Sequence, residues 1–82
     1  MSNAAIRAVV LSTLGEIAPE VDPQALCADR PLRRQVDLDS MDWLNFLIAL
    51  HEKLKVEIPE SDYARLVTLD DVVSYLEAAA TR

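Results

Sequence analysis

One glycine, Gly15, is present in 82 residues, and it falls inside a stripe of apolar residues instead of between two of them. Tight hairpin turns need residues that accept positive φ, glycine above all. Apolar-polar alternation is also missing along the chain, so a β-sheet would have neither its turns nor its strands, and an all-α fold is expected. Apolar residues make up 51% of the composition, enough for the core of one small domain spanning residues 1–82. A chain of this size buries only about 60% of the surface its unfolded form exposes, which leaves no volume for a large enclosed catalytic pocket. Stability must come from packed side chains, because the single cysteine, Cys27, forms no internal disulfide and no Cys and His cluster is spaced for zinc.

Ile6, Val9, Val10, Leu14 and Ile17 recur at helical spacing, which predicts an amphipathic helix over residues 3–18 with Ser2 or Asn3 as its cap. Pro19 ends it. From there to Leu38 the chain carries Pro19, Pro23 and Pro31 with only spaced anchors, Val21, Leu26, Leu32, Val36 and Leu38, the pattern of a long ordered loop draped over a core. Asp22-Pro23 can open a single helical turn within it. A second helix is expected from Ser40 to about Lys55, with Asp39 as N-cap and Asp42 in its acidic first turn. Val56 to Pro59 breaks that helix, and a short third helix is expected over residues 62–66. Thr68 and Asp71 then form a capping box for the last helix, whose stripe is Leu69, Val72, Val73 and Leu76. The expected architecture is a small four-helix bundle, three main helices plus a short third one, with a long first loop.

Side chains suited to ordinary catalysis are few. His51, the only histidine, stands on the order of 16 Å along the helix axis from Ser40 at about 1.5 Å per residue, too far to serve as that serine's base. A solvated helix position is the expected setting for His51, and a buried or idle thiol that for Cys27. Asp37, Asp39 and Asp42 straddle a loop-to-helix boundary with neither the glycine nor the later glutamate of a calcium loop, so no metal site is expected. Eight Lys and Arg against fourteen Asp and Glu leave a formal net charge of −6, which opposes nucleic-acid binding. No apolar run reaches the roughly 20 residues of a membrane span, and no signal pattern opens the chain, so a cytoplasmic location is expected.

At 100° per residue, Trp43, Phe46, Leu47, Leu50 and Leu54 share one arc of the second helix, the face expected in the core. Met41, Leu44 and Ile48 fall outside that arc, alongside Asn45 and Glu52. Either the long loop covers this second apolar face or it docks a protein partner. Ser40 lies between the arcs at the first turn, flanked by Asp39 and Asp42, which would repel an anion placed there.

At Asp39-Ser40-Met41 the chain resembles the acyl carrier proteins, four-helix domains in which the serine of an Asp-Ser-Leu motif carries 4′-phosphopantetheine. The likeness spans nearly the whole chain. It takes in the long first loop, Leu38-Asp39-Ser40-Met41-Asp42, the stretch from Ile48 to Leu54, the Val56-Glu57-Ile58-Pro59 exit and Thr68-Leu69-Asp70-Asp71-Val72. The resemblance implies that Ser40 is the attachment site and that a phosphopantetheinyl transferase supplies the base and Mg²⁺. The arm, donated by coenzyme A, would then present acyl or aminoacyl thioesters to loading and processing enzymes. On this reading the domain catalyses nothing itself and is a monomer. Asp39, Met41, Asp42, Leu44, Ile48 and Glu52 would form the partner-docking face.

Departures from the family pattern point to a specialised carrier for a lipid, polyketide or aminoacyl pathway. Met41 stands for the usual leucine, and Gln35, Val36 and Asp37 occupy the stretch where a glycine is common. Asn45, His51, Lys53 and Lys55 stand where acids are common, and Arg30, Arg33 and Arg34 form a basic cluster, expected to be solvated or paired with local acids. The alternative function is a carrier-like adaptor that binds partners without ever receiving the arm.

Overall fold

Helices start where the sequence offers a short oxygen-bearing side chain to meet their first free N–H groups. Ser2 Oγ accepts from Ala5 N–H at 3.2 Å and opens α1 (Asn3–Ile17). Asp22 accepts from Gln24 N–H at 3.0 Å and opens a 3-10 turn, Pro23–Ala25. Asp39 caps α3 (Ser40–Leu54), and Thr68 and Asp71 exchange two hydrogen bonds of 3.0 Å at the start of α4 (Leu69–Ala80). The computed structural model describes residues 2–80.

Two short elements depart from expectation. A helix of one turn, α2 (Leu32–Gln35), lies within the stretch read as loop, with Leu32 and Val36 buried one helical turn apart. Four residues are too few for a periodic signal. The segment expected as a helix over 62–66 is instead a 3-10 stretch, Glu60–Arg65, entered from Pro59 with no side-chain cap. No strand occurs among the described residues, only an isolated antiparallel bridge between Pro31 and Thr68.

α1 packs against both α3 and α4. Their shared core is Ile6, Val10 and Leu14 from α1, Phe46, Leu47 and Leu50 from α3, and Leu69, Val72, Val73 and Leu76 from α4. Trp43 and Phe46 add a tilted ring pair with centroids 5.3 Å apart. The predicted core arc of α3 is thus the buried one, with Leu54 packed at its edge. Thr13 is fully buried, and its hydroxyl donates to Val9 O at 2.7 Å while accepting from Lys53 Nζ at 3.1 Å. Lys53 also reaches Glu16 at 2.6 Å, joining α1 to α3 through a partly exposed ion pair worth under about 1 kcal/mol. Gly15 has open space around it, so no close approach explains its place in α1.

The first loop is ordered by backbone pairing with the entry to α4: Leu32 N–H donates to Val67 O at 2.9 Å and Asp70 N–H to Ala28 O at 3.0 Å. Gln35 fastens it from within. Its side-chain amide accepts from Cys27 N–H at 2.7 Å and donates to Cys27 O at 2.8 Å and to Arg30 O at 3.0 Å. Cys27 is exposed, not buried. Among the described residues no helix is long and apolar enough to cross a membrane.

Candidate functional site

Val36 and Leu38 are buried on one side of Ser40 and Trp43 on the other, so the chain between them is held at the surface. Asp39 has an extended backbone, φ −78° and ψ −179°, and its Oδ1 accepts from Asp42 N–H at 2.8 Å. Capping of α3 is therefore done by Asp39, and Ser40, the first helical residue, is left exposed with no hydrogen bond to its hydroxyl among the described residues. A primary alcohol in that state is accessible to a reagent brought by another protein. Among the described residues no hydrogen bond joins it to a base: His51 is exposed near the far end of α3, where its Nδ1–H donates to Val56 O at 2.7 Å. The ring is thereby engaged at the exit of the helix, away from Ser40.

Met41 is 64% and Ile48 43% exposed, and Leu44 between them is half-buried. The first loop therefore leaves this face open instead of covering it. Asp42 is half-buried, while Asp39, Asn45 and Glu52 are exposed around the same face. An apolar strip with carboxylates at its margin suits a partner surface that is apolar at its centre and cationic at its rim. The six residues expected to dock partners lie at the cap of α3 and along the helix as far as Glu52, in its fourth turn.

On the other flank of α3 an open groove of about 210 Å³ runs between the first loop and the second 3-10 stretch. Pro31, Trp43, Tyr63, Leu66 and Val67 line it, with Arg33 among them. Arg33 Nε–H donates to Leu38 O at 3.5 Å, which ties α2 to the segment leading into Ser40. Arg30, Arg33 and Arg34 are all exposed, and none pairs with an acid among the described residues, so the cluster is a solvated one. The sequence shows the basic cluster but not that one member, Arg33, lines a groove together with Trp43, three residues after Ser40. Leu32 and Val36, four residues apart and both buried, flank the helical turn that carries Arg33, but one such pair is too little to signal a helix in the sequence. No group of three or more His, Cys, Asp or Glu among the described residues is arranged to hold a metal ion.

The donor set fits a covalent arm on a serine: an exposed unengaged hydroxyl, an open groove on one side and an apolar strip on the other. Residues 4–76 match the family described as "Phosphopantetheine attachment site". An acyl carrier protein of Campylobacter concisus is 39% identical over 72 residues, covering 88% of this chain and 87% of the relative. One from Helicobacter hepaticus is 34% identical over 73 residues, covering 89% and 90%. A solution structure from Anaplasma phagocytophilum, described as an acyl carrier protein, superposes with a TM-score of 0.81 at 26% identity, covering 99% of this chain and 92% of that one.

Proposed function

Since the chain belongs to the acyl carrier protein family, whose members bear covalent 4′-phosphopantetheine and are carriers, not enzymes, we propose that Ser40 is its attachment site and that it carries acyl or aminoacyl thioesters. The observation that supports this most is the division of labour at the start of α3: Asp39 satisfies the helix terminus and Ser40 Oγ is left free. With no base bonded to it among the described residues, Ser40 passes its proton to a group on a phosphopantetheinyl transferase, which also brings Mg²⁺. Ser40 Oγ then forms a bond to the β-phosphorus of coenzyme A, the bond from that phosphorus to the bridging oxygen breaks, and adenosine 3′,5′-bisphosphate leaves. The arm supplies a terminal thiol on which acyl groups are held as thioesters.

Met41, Leu44 and Ile48, bordered by Asp39, Asp42 and Glu52, form the surface on which the transferase and the loading and processing enzymes dock. The acidity around them selects basic partner grooves. His51, Lys53 and Lys55 dilute that acidity along the second half of α3, which supports service to a dedicated lipid, polyketide or aminoacyl pathway. The protein works as a cytoplasmic monomer.

Incubating the apo-protein with coenzyme A, Mg²⁺ and a broad-specificity transferase should add the mass of one phosphopantetheinyl group to the wild type and none to Ser40→Ala. A wild-type mass unchanged both in this assay and in protein purified from its own host overturns attachment. That outcome leaves the adaptor reading, which the exposure of Met41 and Ile48 favours independently of the serine.

A further inference from the structure

Attachment at Ser40 creates an electrostatic problem that the surroundings of the serine must answer. The phosphodiester carries a negative charge, and Asp37, Asp39 and Asp42 all lie within three residues of its anchor. The positive end of α3 gives limited relief, because Asp39 already occupies the Asp42 N–H. We propose that Arg33 is the counter-ion of that phosphodiester, an inference that rests on Ser40 being the attachment site.

Three observations carry the assignment. Arg33 Nε–H is bound to Leu38 O at 3.5 Å, and two residues of chain, the separation of Leu38 from Ser40, span at most about 7 Å. This contact places the guanidinium beside the segment that presents the serine. Arg33 also shares the groove with Trp43, which follows Ser40 by three residues and so lies on the neighbouring turn of the same helix flank. Finally, Arg33 has no acid partner among the described residues, whereas the other ion pairs, Lys53 with Glu16 and Arg65 with Asp62, are made elsewhere. Arginine suits both tasks at once: its Nε–H holds the carbonyl while the terminal nitrogens remain available as a fork for two phosphate oxygens. Arg34, its neighbour in the cluster, makes no hydrogen bond to the segment leading to Ser40 among the described residues and serves as the control. Pairing with Arg33 starts the arm on the groove side of α3 and keeps phosphate charge away from the Met41 and Ile48 strip.

The test compares apo and holo forms of the full chain by intact mass, by ³¹P resonance of the phosphodiester and by the ¹H–¹⁵N signal of the arginine Nε–H groups. On loading, the Arg33 Nε–H signal should move and that of Arg34 should stay. Arg33→Gln should displace the ³¹P resonance of the holo-protein, Arg33→Lys should displace it less, and Arg34→Gln should leave it in place. The Arg33 effect should shrink between 0.1 M and 1 M salt, as the Debye length falls from about 10 Å to about 3 Å. An Arg33 signal indifferent to loading overturns the pairing, and so do equal ³¹P displacements in Arg33→Gln and Arg34→Gln, which would reflect net charge alone. Absence of any mass gain is a separate result: it removes the attachment reading itself and the counter-ion with it. Apo-protein circular dichroism confirms that each variant is folded, and Arg33→Lys keeps the charge should Arg33→Gln unfold.

Discussion

At Asp39 a carboxylate oxygen receives the Asp42 N–H at 2.8 Å, so the residue caps α3 while placing a negative charge one position before Ser40. The two roles separate by substitution. Asp39→Asn keeps an oxygen for the cap and should melt within a few degrees of wild type, yet slow modification of Ser40 by a transferase with a basic groove. Asp39→Ala should lose about 1 kcal/mol of stability as well, the usual cost of removing such a cap. Equal modification rates for wild type and Asp39→Asn would assign the residue to capping alone. Its capping role, like the Thr68 and Asp71 box, was legible in the sequence because donor and acceptor are three residues apart. Gln35 was not: its partners, Cys27 and Arg30, lie eight and five residues away across a bend that no local pattern announces. Of the two settings expected for Cys27, buried or idle, burial does not hold: its apolar neighbours in sequence leave the side chain exposed, with its backbone N–H and C=O bound to Gln35.

Among the elements, α1, α3 and α4 were readable from their apolar period, and the limits of α3 agree with expectation to within a residue. The helix closes at Lys55, which takes the left-handed conformation at φ 55° and ends the α3 pattern just before buried Val56. What periodicity could not decide was the fate of the second apolar face, because covering it depends on where a twenty-residue connection chooses to lie. The loop lies instead against the entry to α4. Ile48→Asp should therefore preserve the thermal unfolding midpoint within a few degrees while weakening processing by partner enzymes several-fold, read as a raised KM. A collapse in helicity would mean the strip is part of the core. For the loop itself, Gln35→Ala removes three hydrogen bonds and leaves exposed backbone groups of Cys27 and Arg30 to water. It should cost about 1–2 kcal/mol by chemical denaturation and speed exchange of the Cys27 amide hydrogen, with α3 protection unchanged.

Over the whole molecule the net charge of −6 is unevenly spread. The stretch from Gln35 to Asp62 holds seven acids against Lys53 and Lys55, whereas Arg30, Arg33 and Arg34 put three cations immediately before it. Composition alone described an acidic protein; the fold turns that into an acid-rimmed strip on one flank of Ser40 and a cation on the other. The all-α class followed from the missing turns and strands, because it depends on the chain's inventory more than on its packing. Pairing of the first loop with the α4 entry, through Leu32 to Val67 and Ala28 to Asp70, joins residues about forty positions apart and so closes a ring that contains all of α3. In a helical bundle, where most contacts are local, these are contacts of high sequence separation, like those between α1 and α4. The same bonds tie the loop that carries Arg33 to the α4 entry, so an opening that breaks them should loosen Arg33 and the approach to Ser40 together, read as matched amide exchange at Leu32 and Asp70.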